Sequence, residues 1–212
     1  MGIKKYKRTI KRFMRRWSTR ARAVLVVVCA LLLVVSLSQY MSNRRISINP
    51  AAHAPLLTLI GRVESSDNYN AYFGNAGNND IKFTDMTIAE VQRWQETFIA
   101  EGNPSSAVGR YQIISTTLKS LVEELNIDTS EKFDKAMQDR LAIFLIERRG
   151  AVAYVNEEIT REQFAANLAK EWAALPKVIG DNPEQSYYAS DGLNKSRVKA
   201  NQVLEVIQKA YS

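Results

Sequence analysis

Cysteine and histidine are nearly missing from this chain: its 212 residues contain one of each, Cys29 and His53. A single thiol excludes a disulfide framework and a thiolate zinc cluster. A single imidazole argues against a Ser-His-Asp site and against a multi-histidine metal site. No metal and no cofactor are expected. There is no internal repeat and no low-complexity tract, and acid is absent altogether from residues 1–45. What remains is globular composition, with 46% apolar, 24% charged and 9% aromatic residues, which argues against a disordered or fibrous chain.

The formal charge of +7 hides a division. Residues 1–45 hold twelve Lys/Arg, ten of them before Ala23, whereas the remainder carries a net charge of −5. That pattern reads as a basic arm joined to a mildly acidic domain. Residues 23–43 are uncharged and 23–35 wholly apolar, long enough at ~1.5 Å per residue to span roughly 30 Å of hydrocarbon. The sequence therefore predicts a basic inner-side arm over 1–22, a transmembrane signal anchor over 23–41, a linker over 42–54 and a folded domain over 55–212. By the positive-inside rule the product is a single-pass membrane protein, N-terminus inside, with its domain in the periplasm or in a virus-associated membrane. A cleaved signal peptide is the rival reading. Residues 23–41 would contact the lipid bilayer, Cys29 being one apolar residue among others. The arm at 1–22 carries enough charge to meet nucleic acid or anionic lipid, although orienting an anchor requires the same charges. His53 falls in the linker and reads as solvated.

Beyond the linker the pattern is helical. Leu56, Leu57, Leu59, Ile60 and Val63 mark an apolar helix face behind Pro55. Glu64 follows at the last turn, before the helix-breaking Ser65, Ser66, Asp67 and Asn68. A helix C-terminus and an apolar wall both oppose ionisation of a carboxyl, so Glu64 suits a general acid; a solvated glutamate at a helix end has the same sequence signature. Residues 69–86, rich in Asn, Gly and Tyr, predict turns and a small hairpin with Tyr72, Ile81 and Phe83 as strand residues. Thr87 with Glu90, and Thr160 with Gln163, have the form of capping boxes. Further helices are expected over 116–125, 133–149, 160–175 and 196–210. The fold class is α+β: a mostly helical domain with a small β region after its first helix, preceded by a single transmembrane helix.

Four blocks in this order, Glu64-Ser65, Phe83-Thr84-Asp85, Ser106-Ala107-Val108-Gly109-Arg110-Tyr111-Gln112 and Trp172-Ala173-Ala174-Leu175-Pro176, resemble the lambda-type phage endolysins of the lysozyme superfamily. The likeness covers about residues 56–190 and leaves residues 1–54 without a counterpart. It implies a lysozyme-like domain and a lytic transglycosylase, which cuts the MurNAc-GlcNAc bond of peptidoglycan glycan strands for lysis or wall penetration. By position, Glu64 would be the catalytic residue. Ser106, Tyr111, Gln112 and Asp85 are candidate substrate contacts, and Tyr187, beside Tyr188 in a polar loop, is another. Arg110, Trp94 and Trp172 read as structural. Two other readings stay open: a hydrolytic muramidase using Asp67 or Asp85 as second carboxylate, and a membrane protein that holds peptidoglycan without cutting it.

Overall fold

The computed structural model describes residues 48–212, together with Val27, Val28 and Leu31. The chain divides into two units, Met1–Ile46 and Ser47–Ser212, and the second carries the helical domain. Its described residues form seven α-helices: α1 (Ala54–Ser65), α2 (Ile88–Ala100), α3 (Ser115–Glu124), α4 (Lys135–Arg148), α5 (Ala151–Val155), α6 (Arg161–Ala169) and α7 (Ala200–Ala210). Helix α1 is the central element. Leu56, Leu57, Leu59, Ile60 and Val63 are all buried, and α1 packs chiefly against α7, whose Val203 and Ile207 are sealed from solvent. Burying side chains of this size contributes ~1.5–3 kcal/mol each, so this apolar helix is fixed in place with Glu64 near its end.

Both capping boxes form. Thr87 accepts from the Glu90 N–H while Glu90 accepts from the Thr87 N–H, and Thr160 and Gln163 repeat the exchange. Each satisfies two donors that a helix start otherwise leaves unpaired. Helix α6 ends at Ala169, six residues before the expected limit. The freed residues Lys170–Leu175 turn back toward α1.

The small β region is corrected. No strand occurs among the described residues; isolated bridges remain, and those of this region join Tyr72 to Asn75 and Val108, and Val108 to Ile113. Asparagine side chains supply the hydrogen bonds that a strand ladder would have made. Asn68 donates to the Ala76 and Asn78 carbonyls, Asn78 to the Ile81 carbonyl at 2.7 Å, and Asn70 accepts from the Thr84 N–H at 2.9 Å. Such side-chain bonds compete with regular structure, and here they win.

Two expectations about the N-terminal side also change. His53 is fully buried: its Nδ1 lies 2.8 Å from the Tyr211 hydroxyl and its Nε2 3.5 Å from Glu147 Oε1. Burial pulls its pKa down, opposed by Glu147. With Ile48 also in the core, residues 48–54 belong to the domain and are no solvated linker. The predicted span over 23–41 lies outside the described residues apart from Val27, Val28 and Leu31. Among the described residues no helix is long and apolar enough to cross a membrane. The longest, α4, has 14 residues, about 21 Å at 1.5 Å per residue against a hydrocarbon core of ~30 Å. The assignment as a single-pass membrane protein is corrected on this finding.

Candidate active site

Glu64 occupies the last turn of α1, half-buried at the surface yet closely surrounded by protein atoms. The Ala174 N–H donates to its Oε1 at 3.0 Å. Arg197 borders the same carboxyl: its own N–H donates to the Ala174 carbonyl at 2.9 Å, and its Nη1 to the Val63 carbonyl at 3.2 Å. Three segments distant in sequence thus converge on one acid. Burial raises the Glu64 pKa to about 7, with the Ala174 N–H and the Arg197 charge pulling the other way. A carboxyl in that range is protonated in a large fraction of molecules near neutrality and can also be left as an anion, so it can give a proton and take one back.

The Gly-Arg-Tyr-Gln block sits behind this helix end. The Ser65 hydroxyl donates to the Arg110 carbonyl at 2.8 Å. The Arg110 guanidinium donates to Asp67 Oδ1 through Nε (3.0 Å) and Nη2 (2.8 Å), and through Nη1 to the Tyr69 and Tyr111 hydroxyls. Both phenols in turn donate to Asp139 Oδ1, at 2.8 and 2.6 Å. Gly61 makes room for the arrangement: a Cβ there would lie 2.5 Å from Arg110 Nε and 2.7 Å from Asp67 Oδ1.

Of the sequence-derived site residues, Glu64 and Tyr111 meet unusual electrostatic environments: burial raises the Glu64 carboxyl pKa to about 7 and, with Asp139 beside it, pushes the Tyr111 phenol well above its ordinary range. Tyr111 is 1% exposed, so its ring is enclosed and offers no face to a sugar; its hydroxyl is committed to Arg110 and Asp139. Ser106 is 4% exposed and accepts from the Ser115 N–H at 2.9 Å, satisfying the start of α3 where Ile114 supplies no cap. Gln112 is half-buried at φ +49, a left-handed conformation uncommon for a residue with a side chain; its Nε2 donates to the Gly109 carbonyl, which leaves its amide oxygen without a hydrogen bond among the described residues. Asp85 is exposed in the short turn Phe83–Asp85. Tyr187 is half exposed and packs edge-on against Tyr188, beside α6. Asp67, the other candidate second carboxylate, is held by Arg110. Sequence reasoning missed the Ala174 N–H and Arg197. A backbone donor carries no side-chain signature, and nothing local marks Arg197. Among the described residues no three metal-ligating side chains cluster.

No curated protein matches the chain. Among solved structures, bacteriophage lambda lysozyme complexed with a chitohexasaccharide is similar at a TM-score of 0.45 and 19% identity, over 78% of this chain and 96% of that one. The endolysin family profile matches residues 54–201, which takes in α1, Glu64, the Arg110 network, the Ala174 turn and Arg197. On that match the chain belongs to the endolysin family of peptidoglycan-degrading enzymes.

Proposed function

We propose that this protein is a lytic transglycosylase that cleaves the MurNAc-GlcNAc bond of peptidoglycan glycan strands with Glu64 as its single acid–base residue. The observation that carries the reading is the environment of Glu64, whose pKa lies near 7 at the end of a buried helix, while Asp67 is tied to Arg110. Protonated Glu64 gives its proton to the glycosidic oxygen as the bond to the muramyl C1 breaks. The N-acetyl carbonyl oxygen of the same muramyl residue attacks C1 from the opposite side and holds the developing positive charge. Glu64, now an anion stabilised by the Ala174 N–H and Arg197, takes the proton from the muramyl 6-hydroxyl. That oxygen then closes on C1 and releases the N-acetyl group, giving a 1,6-anhydro end. No water is consumed. Gln112, Asp85 and Tyr187 are proposed to contact the glycan; Ser106 and Tyr111 support the site from within.

Mass spectrometry of purified murein digested by the full chain tests the outcome. Anhydro-muramyl ends are expected; reducing ends heavier by one water would establish hydrolysis and overturn the transglycosylase step. Because the acid form does the first work, kcat/KM should fall as pH rises through about 7. Arg197 favours the anion, so Arg197→Gln should move that alkaline limb to higher pH. A limb that stays in place would remove Arg197 from the titration of Glu64.

A further inference from the structure

We propose that the recess between α6 and the Lys177–Tyr187 segment binds the carboxylate-bearing peptide stem of peptidoglycan. The inference rests on the proposed substrate and goes beyond it, because cleavage of the glycan alone requires no peptide contact. The cavity measures about 190 Å³; Gln163, Ala166, Asn167 and Lys170 line it from the α6 side, and Lys177, Ile179 and Tyr187 from the other. Two of these residues are cations without a carboxylate in ion-pair range among the described residues: Lys170 reaches only Asn167 Oδ1, at 3.4 Å, with its ammonium 6.0 Å from the Tyr187 ring. Ile179 and Tyr187 are 48% and 50% exposed and form an apolar wall beside the charges. Ammonium groups donate hydrogen bonds and accept none. An uncharged sugar would leave both positive charges without a counter-charge. A short peptide with small apolar side chains and free carboxylates matches it well.

The segment carrying Lys177 is held in a costly conformation. Val178 has φ +66, and the Ile179 N–H closes a three-residue turn onto the Lys177 carbonyl at 2.8 Å. Left-handed backbone at a β-branched residue is rare and strained, and such strain concentrates where side chains are aimed for a purpose. Backbone bonds fix the turn from outside: Val178 N–H to the Pro183 carbonyl at 2.9 Å and Lys177 N–H to the Gln185 carbonyl at 2.8 Å. The recess is also close to the acid. Lys170 precedes Ala174, the donor to Glu64, by four residues, so the two backbones lie at most ~14 Å apart. A stem of four or five residues can extend ~14–17 Å, enough to reach from a muramyl residue bound at Glu64.

Two measurements on the full chain test this. The first compares cleavage of intact murein with cleavage of glycan strands stripped of their stems by an amidase. KM should be about three- to tenfold lower on the peptide-bearing strands, as expected for two partly exposed ion pairs. In a Lys170→Met/Lys177→Met variant that advantage should disappear, with kcat on stripped strands unchanged. The second titrates free stem tetrapeptide into the Glu64→Gln chain and follows backbone amide resonances, where shifts at Lys170, Lys177 and Ile179 that weaken with added salt are expected. Equal KM on both substrates, or no shift at these amides, would overturn the proposal. Cleavage without peptide shifts would leave the lytic reading standing and remove the stem site. Shifts in a chain that cleaves neither substrate would keep the stem site and remove the lytic reading.

Discussion

Glu64→Gln is expected to abolish murein cleavage while leaving the fold intact. Glutamine keeps the shape of the side chain, and its carbonyl oxygen can still accept from the Ala174 N–H that now bonds Oε1. What it loses is the exchangeable proton. General acid–base catalysis contributes ~10²–10⁴ in rate. In the proposed mechanism one group supplies both the donating and the accepting step, so the loss should reach the upper end of that range or exceed it. Release of soluble muropeptides per enzyme molecule measures it directly. A Gln variant that retains near-normal activity would sink the mechanism.

The same substitution should leave a thermodynamic signature that activity cannot imitate. A carboxyl whose pKa rises from 4.5 unfolded to about 7 folded binds its proton more tightly in the native state. Its contribution to stability is therefore fully present below pH 4.5 and lost as pH climbs through about 7. The shift corresponds to at most ~3 kcal/mol. A glutamine in its place does not titrate, so the variant should melt near the parent at pH 4 and several degrees above it at pH 8. Equal melting temperatures at pH 8 would show that the carboxyl is not desolvated, and would take away the ground for its role as an acid.

Elements set by neighbouring residues were legible in the sequence; contacts between distant ones were not. Thr87 with Glu90 and Thr160 with Gln163 announced two helix starts because the partners of a capping box are three residues apart. The apolar stripe from Leu56 to Val63, with Glu64 after it, placed a carboxyl at a helix end for the same reason. The Ala174 N–H lies 110 positions from Glu64, and no local pattern reports such a bond. The premature end of α6 belongs with it, since residues beyond Ala169 leave the helix to bring that donor to the acid. Ser106 and Tyr111 showed the right functional groups for a sugar, but Ser115, Arg110 and Asp139 draw those groups inward. Residues 69–86 carried strand formers at Tyr72, Ile81 and Phe83, yet Asn68, Asn70 and Asn78 took over the backbone partners. His53 looked solvated because its partners, Glu147 and Tyr211, lie 94 and 158 positions further along the chain.

Gly109→Ala should be strongly destabilising, although it adds only a methyl group. Gly109 adopts φ +76, where a Cβ costs roughly 1–2 kcal/mol. The space is also taken: the added carbon would overlap Gln138 Oε1 and meet Gln138 Cδ at 2.9 Å and Phe133 Cε1 at 3.1 Å. Gln138 has little freedom to retreat. It is 1% exposed, accepts from the Arg110 N–H at 2.9 Å and donates to the Tyr69 and Phe133 carbonyls. Phe133 is fully buried. Overpacking a site of this kind costs roughly 1–3 kcal/mol, giving a total of about 2–5 kcal/mol and a fall in Tm of roughly 5–15 °C. Gly102→Ala separates the two contributions, because Gly102 has φ +92 and an added Cβ there would meet nothing within 4 Å; it bears the backbone cost alone. The two variants should therefore differ in thermal melts by the overpacking contribution. Since the Gly109 turn also carries Arg110, whose carbonyl takes the Ser65 hydroxyl next to Glu64, residual cleavage by folded Gly109→Ala at low temperature should be reduced as well. Equal melting temperatures for the two variants would mean that Gln138 and Phe133 yield to the methyl group, and that the turn behind the acid is softer than its hydrogen bonds imply.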